Sequence, residues 1–540
     1  MKKSSIIKAV SVLAAVCSVL STSATGFSAA VVEENKFVSA QSTVSAVSSD
    51  TSLPTKYSSK GLGYVTPVKN QQYSECWAYG GLAAFESKLL HDGYDIESMS
   101  ISHINAWATK RTNGTGWQRN PFGDGYAEIT IGYLTSWQGG VEESDAGEIN
   151  LSVNTNGDNI DTTQAKYGTT AIEYLDNSDT DAIKRAIIEN GGVYSAYASS
   201  ASCLSTDKTS YYMPASYSGT YTGHAIEIVG WNNNYSVSNF NGSIGKTPSN
   251  PGAWLAKNSW GEYNDLGGYF WISYEDKNIF GSKYKPSYTI KSVQTIDENT
   301  KLVQNEIYGA TYEFSYVKQN EITYINKFDF SDDHRTLDKV IFETTCKGAD
   351  YTLHYVPNDS NSIPTADKNQ WISLGEGVVD YSGYICADIT DYYLPSNEGS
   401  IAVTISSDNS TATIGVGEWL STSGGVYKFI NDSQYGDSYI YYNDTMSDVL
   451  DWYKENNNDE IGGTFVIKAV TTNDGPKVTL LGDVNLDGQV NIADATLVQK
   501  YSIGLEELSP VALLNADFNQ NSMVNITDAT DIQKKVAGLV

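Results

Sequence analysis

The chain runs to 540 residues with a net charge of −29, 38 tyrosines and only 18% charged residues. So acidic a surface argues against nucleic acid as a partner, and the length exceeds what one core holds, so two to four domains are expected. A tyrosine-rich, charge-poor composition suits extracellular β-rich modules better than helical bundles.

Met1–Ala30 carries Lys2, Lys3 and Lys8, then the apolar run Ala9–Leu20, then small residues ending at Ser28-Ala29-Ala30. That is the layout of a secretory signal peptide, with an apolar core too short to cross a bilayer of about 30 Å. No later stretch is long and apolar enough to span, so the mature protein is expected to be soluble and exported. Residues 31–52 are rich in Ser, Val and Ala without periodicity and read as a flexible segment. Cys17 leaves with the signal, and Cys76, Cys203, Cys346 and Cys386 do not make a disulfide framework. Cys346 and Cys386 either pair within one domain or stay as buried thiols; both readings are open.

The stretch Gly63–Leu90 organises the next region. Cys76 stands directly before Trp77 and a small-residue run that opens a helix, Trp77–Leu90, with Leu82, Phe85 and Leu89 at core spacing. A thiol at a helix N-terminus feels the positive end of the dipole, which is where a nucleophile belongs. Upstream, VTPVKNQQ (65–72) supplies side-chain amides able to donate to a developing oxyanion. A cysteine nucleophile needs a base, and the base needs an orienting group. His224 opens an apolar strand in YTGHAIEIVGW (221–231), and Asn258 lies in AWLAKNSWGEYNDLGGYFWISY (253–274).

Cys76, His224 and Asn258, in that order and with those flanks, resemble the papain family of cysteine proteases, whose signatures are V-K-N-Q-G before C-W-A-F and a later K-N-S-W-G. The resemblance implies an α+β papain-like fold over residues 53–282, with a helical half bearing Cys76, a β-rich half bearing His224 and Asn258, and a cleft between them. Cys76 and His224 are expected to share a proton as thiolate and imidazolium, Asn258 to fix the ring and Trp260 to shield that contact. The oxyanion falls to the Cys76 backbone N–H and the Gln71 side chain. The loop from Gln71 to Cys76 is one residue shorter than the family's and lacks its glycine, so Gln72 stays a rival. Gly123 and Gly125 in FGDG either present backbone to substrate or make a plain turn. Ala127–Asp145 resembles the helix and turn of clostridial relatives, and DAIKRAIIEN (181–190) reads as a helix capped by Asp181 that leads into a strand pairing with the one after His224. Residues 31–52 are too short for the long helical pro-segment of eukaryotic members, and Leu53–Tyr57 resembles the start of a mature domain. His91, His103, His334 and His354 show no ligand spacing and read as surface or packing residues.

From 287 to 470 the chain alternates short β-type runs, YTLHYV (351–356), SIAVTIS (400–406) and GTFVIKAV (463–470), with Asp, Asn, Ser and Gly clusters, which argues for a β-sandwich. Its position resembles the lectin-like domain of clostridial papain relatives. Carbohydrate binding and structural support of the protease are both open readings.

After the linker 471–478, DVNLDGQVNIAD (483–494) and DFNQNSMVNITD (517–528) repeat at 34 residues, each running into a matching segment, ATLVQK or ATDIQK. Oxygen side chains at loop positions 1, 3, 5, 9 and 12, with the carbonyl of position 7, are how an EF-hand-like loop wraps Ca²⁺. The first loop offers Asp483, Asn485, Asp487, Gln489, Asn491 and Asp494, with Gly488 for the turn. The second offers Asp517, Asn519, Asn521, Met523, Asn525 and Asp528, with Ser522 in place of the glycine. Three carboxylates against two predict a weaker second site. The duplicated unit resembles a type I dockerin, a small all-α module over 479–540 that binds a cohesin of a cellulosome-type scaffoldin; Ala495, Thr496, Ala529 and Thr530 are expected at the partner-choosing positions. The chain thus reads as a secreted cysteine endopeptidase or aminopeptidase acting on protein or peptide through Cys76, His224, Asn258 and Gln71, with no catalytic cofactor. The alternative is a non-catalytic binding or inhibitor protein on the same scaffold.

Overall fold

The structure, a computed structural model, describes residues 52–539 except 153–155, 177, 282–285, 316–318, 332–334, 409–410, 418–428, 431–432, 456–462 and 522. The signal peptide, nearly all of the 31–52 segment, His334 and Ser522 lie outside the described residues.

Helix α1 (Cys76–His91) carries the nucleophile candidate at its first residue. Nearly every side chain from Trp77 to Leu89 is buried, the polar Glu86, Ser87 and Lys88 included. Two glycines let it pack that deeply. A Cβ on Gly81 would lie 2.5 Å from Thr130 in α2 (Ala127–Thr135), and one on Gly80 would lie 3.2 Å from the backbone of Ile226. Against this helical half stands an antiparallel run of strands. These are β1 (Tyr167–Tyr174), β2 (Val193–Ser199), β3 (Thr222–Asn232), β4 (Ala253–Lys257), β5 (Tyr269–Ser273) and β6 (Tyr288–Thr295), in spatial order β1-β6-β2-β3-β4-β5. The expected pairing of β2 with the strand after His224 is present, Tyr197 standing opposite His224. Helix α3 (Thr180–Asn190) starts one residue earlier than the sequence suggested, because Asp179 rather than Asp181 accepts the capping bond from the Ala182 N–H.

The junction with the following domain is where sequence and structure part. Strand β6 falls in the segment read as the start of the sandwich, yet it pairs along β1 and touches β2. The sandwich then continues the same sheet. Among β7 (Glu321–Asp329), β8 (Thr336–Thr344), β9 (Asp350–Val356), β10 (Ser382–Tyr393), β11 (Glu398–Ser406) and β12 (Ile467–Thr472), it is β10 that pairs with β1, Tyr384 opposite Ile172. The sheet then runs outward through β8 to β12. The period-2 alternation of a strand explains how this works. On β8, Val340 and Phe342 enter the sandwich core while Ile341 enters the core around α1; on β12, Ile467 and Ala469 face the first core and Val470 the second. Strands β9, β11 and β7 lie side by side in a second, six-stranded sheet that closes the sandwich core.

All four described cysteines are free, so Cys346 and Cys386 are thiols rather than a pair. His103 is a packing residue, bonded through Nδ1 to the Tyr133 hydroxyl and through Nε2 to the Asp161 carbonyl. No helix among the described residues is long and apolar enough to cross a membrane. The C-terminal module holds helices α4 (Ile492–Ser502) and α6 (Ile526–Val536), one after each loop, and α5 (Pro510–Ala516), which sequence reading missed between them. Their shared core is small: Val484, Ala495, Val498, Ala512, Ala516, Ala529 and Ile532.

Candidate active site

Helix α1 points its first residue at the start of β3. The sulfur of Cys76 is half-buried, and the backbone N–H groups of Ala225, of Trp77 and of Cys76 itself favour its thiolate. His224, one residue before Ala225, is nearly fully buried. Its Nε2 lies 2.8 Å from Asn258 Oδ1. The Ser259 N–H donates to that same oxygen at 2.8 Å, and Asn258 Nδ2 donates to the Tyr263 hydroxyl at 3.0 Å. These two bonds fix which end of the carboxamide is oxygen, so the imidazole donates through Nε2 and leaves Nδ1 as the acceptor. Trp260 stacks on the ring at 4.6 Å and 25°.

Burial dominates the protonation of both groups. It pushes the Cys76 thiol up to about 11, against the pull of the backbone N–H groups and with a further push from Asp124. It draws the His224 imidazole down to about 4, against the bond to Asn258. Desolvation therefore favours thiol and neutral imidazole in the resting site, which works against the charge-separated pair expected from sequence.

The shortened loop is strapped in place. Gln71 N–H donates to the Ser259 carbonyl at 2.7 Å, Gly261 N–H to the Lys69 carbonyl at 2.9 Å, and Asn70 bridges to Trp260. The Gln71 side chain accepts from the Ser259 hydroxyl and donates to the Tyr73 carbonyl at 2.8 Å, whereas the exposed Gln72 donates to the Asn70 carbonyl. Of the two rivals, Gln71 is the one tied to the Asn258 loop. Gly125 is glycine for packing, since a Cβ there would lie 2.5 Å from the Trp77 ring; Gly123 closes a turn onto the Asn120 carbonyl.

Acids that sequence reading passed over border the same thiol. Glu75, directly before Cys76, is buried and held up at about 7 by desolvation in spite of Arg119 nearby. Asp124 is exposed within electrostatic reach of the sulfur. Their one signal was position, one beside the cysteine and one inside FGDG. Behind the site Lys257, adjacent to Asn258, lies 3.9 Å from Glu86 and 3.8 Å from Glu227, all three buried.

The two C-terminal loops have the donor chemistry of a calcium site. Asp483 accepts from the Asp487 and Gly488 N–H groups, and Asp494 accepts from Val484 and Asn485 at 2.8 and 2.9 Å and from Asn491 at 2.8 Å. Burial and the neighbouring Asp494 and Asp487 carboxylates raise Asp483. Like charges crowded into one turn fit a hard cation. In the second loop Asp528 accepts from Asn519 at 3.3 Å and from Asn525 at 3.0 Å, a looser version. Both loops turn left-handed at the fourth position, Leu486 at φ 59° and Gln520 at φ 57°. Asn491 and Asn525 also cap the helices that follow. Ala495 and Ala529 are fully buried in the module's core, so neither can choose a partner; Thr496 and Thr530 are exposed, as are Ile492 at 57% and Ile526 at 56%.

Family models match three successive stretches of the chain. A family described as papain family cysteine protease matches residues 53–290, a lectin like domain matches 302–471, and a dockerin type I domain matches 481–537. Among solved structures, the clostridial cysteine protease Cwp84 after propeptide cleavage has a TM-score of 0.68 at 32% identity, covering 77% of this chain and 99% of that one. The cysteine protease and lectin-like domains of Cwp84, a surface layer associated protein of Clostridium difficile, give 0.67 at 32% identity, covering 78% and 89%. The chain belongs to the papain family of cysteine proteases, joined to a lectin-like domain and a type I dockerin domain.

Proposed function

We propose that this protease hydrolyses peptide bonds through Cys76, His224 and Asn258, is exported by its N-terminal signal, and is attached by its dockerin to a cohesin of an extracellular scaffoldin. The observation that carries the catalytic part is the packing of α1, which begins at Cys76, against β3, with His224 clamped to Asn258 at 2.8 Å. His224 Nδ1 takes the thiol proton as sulfur attacks the carbonyl carbon. The oxyanion gathers the Cys76 N–H and a Gln71 Nε2–H, both fixed before substrate arrives. The imidazolium then protonates the leaving amine, and water, activated by the same nitrogen, releases the acid from the thioester. Asn258 keeps the ring from turning, and Trp260 keeps water from that bond.

The dockerin part rests on the two loops. Asp483, Asn485, Asp487, Asp494 and the Gln489 carbonyl would hold one Ca²⁺; Asp517, Asn519, Asn521, Asp528 and the Met523 carbonyl would hold a second. Bound calcium supplies the charge that lets these carboxylates share one turn. Covalent labelling by the thiol-directed epoxide E-64, read by mass spectrometry, tests the catalytic part. Label on Cys76 that vanishes in Cys76→Ala together with cleavage of an unfolded protein is expected; absence of both overturns it.

A further inference from the structure

A single buried cation grips the loop that packs on Trp77. Arg119 is buried, and its guanidinium N–H groups reach five different oxygens. Nε donates to the Asp124 carbonyl at 3.2 Å, and Nη1 to the Asn105 and Ala108 carbonyls at 3.4 and 3.1 Å. Nη2 donates to Asn105 Oδ1 at 3.2 Å and to the Gly123 carbonyl at 2.7 Å. A guanidinium holds five donors in a rigid fork, whereas a lysine ammonium has three on one flexible point. The grip also reaches both neighbours of the nucleophile. Asn105 Nδ2 donates to Glu75 Oε1 at 3.4 Å, and the guanidinium lies 4.8 Å from the centre of the Trp77 ring.

What the fork does to the loop follows from peptide geometry. In a trans peptide the carbonyl of one residue and the N–H of the next point in opposite directions. Arg119 draws the Gly123 and Asp124 carbonyls inward, so the N–H groups of Asp124 and Gly125 are turned outward. Among the described residues neither of these N–H groups is in a hydrogen bond, and Asp124 is exposed and Gly125 half-exposed. The loop borders the reacting groups on two sides. Gly125 is packed against Trp77, and the Phe122 ring meets the Tyr73 ring at 4.5 Å. Tyr73 is the residue whose carbonyl holds the Gln71 side chain.

This inference deepens the protease reading and rests on it. We propose that Arg119 is a positioning residue for substrate: by holding two loop carbonyls inward it fixes the Asp124 and Gly125 N–H groups as donors to the main chain of a peptide lying beside Cys76. The Tyr73–Phe122 contact holds the same loop from its outer side. Donors fixed before binding cost no ordering when the peptide arrives.

Two thiol reagents separate this role from simple support of the fold. E-64 carries a peptide-like chain that would lie along the loop, whereas iodoacetamide carries none. In full-length Arg119→Lys, which keeps the charge but not the fork, KM for a peptide substrate is expected to rise ~10-fold with kcat within about threefold. The rate of E-64 labelling at Cys76 falls ~10-fold as well, while iodoacetamide alkylation of Cys76 stays within about twofold of wild type. Tyr73→Ala removes an exposed ring, leaves the carbonyl that holds Gln71, and is expected to slow E-64 about threefold with iodoacetamide unchanged. Arg119→Lys decides if it folds, as judged by its circular dichroism melt; otherwise Tyr73→Ala decides. An unchanged E-64 rate in the deciding variant, or equal losses with both reagents, overturns the positioning role and leaves the protease reading intact. Wild type that takes iodoacetamide at Cys76 but neither takes E-64 nor cleaves peptide overturns both.

Discussion

The papain-like site and the dockerin loops solve the same problem, holding polar groups in fixed positions, by opposite means. At the cleft, Cys76, His224 and Asn258 come from a helix, a strand and a loop that a large apolar core presses together, with Gly80 admitting the backbone of Ile226. Nothing beyond the chain is needed to keep them there. In the dockerin a seven-residue fully buried core lies beside loops whose carboxylates push one another apart. Packing organises the first site; on the proposed reading, a bound cation organises the second.

Chelation should therefore separate the two regions most sharply. With EGTA the α4 and α6 signals in backbone NMR are expected to collapse and cohesin capture to be lost, while hydrolysis of a soluble peptide stays unchanged. Loss of hydrolysis on chelation would break the comparison. Within the dockerin the same reasoning ranks the loops. Asp483→Ala removes one of three carboxylates from the tighter loop and should weaken its Ca²⁺ affinity at least ~10-fold, whereas Asp517→Ala acts on a site already weaker. Calorimetry showing a tighter second site would reverse that order.

The cleft makes the complementary prediction. Asn258→Ala leaves the thiol and imidazole in place but frees the ring, and is expected to cut kcat about 10²-fold, with little change in KM. Tyr263→Phe, which removes only the partner of Asn258 Nδ2, should cost less. Equal losses from both would mean that the ring is held by something other than the carboxamide.

How legible each region was follows from the same contrast. Dockerin loops are written locally: the spacing of oxygen side chains and the capping Asn491 and Asn525 each lie within a twelve-residue window, and the loop recurs 34 residues on. The three papain segments were legible because each carries its own flanks. What joined them was not, since the strap from Lys69–Gln71 to Ser259–Gly261 spans almost 190 residues and leaves no periodic trace. Nor was the shared sheet. Strand β6 has the alternation of a sandwich strand, and only its partners, β1 and β2, place it with the protease. Ala495 and Ala529 misled for a simpler reason: a small residue at a helix start reads equally well as surface or as core, and the core was decided by α5, a helix the sequence hid behind Ser509 and Pro510.

A further prediction concerns the charge cluster behind Asn258, and it tests how far packing alone can hold an ionisable group. Lys257 is one cation facing two carboxylates. Glu86 accepts the Met99 N–H at 2.7 Å and the Thr66 hydroxyl. Glu227 is fully buried with neither oxygen in a hydrogen bond, 3.8 Å from Lys257, and burial lifts it to about 7 from 4.5, Lys257 opposing the rise. Its folded pKa lies above its unfolded one, so the native state holds the proton more tightly. The stability this confers is fully present below about pH 4.5 and is lost as pH rises through 7. Glu227→Gln keeps the shape and cannot ionise. Chemical denaturation should therefore show the variant gaining on wild type by about 2 kcal/mol between pH 5 and pH 8. The E-64 labelling rate of Cys76 is expected to stay the same, because no bond from Glu227 reaches the catalytic groups. A difference that stays flat from pH 5 to pH 8 would mean that Glu227 is ionised throughout and paired with Lys257, and that this half of the cleft, like the dockerin, depends on charge as much as on packing.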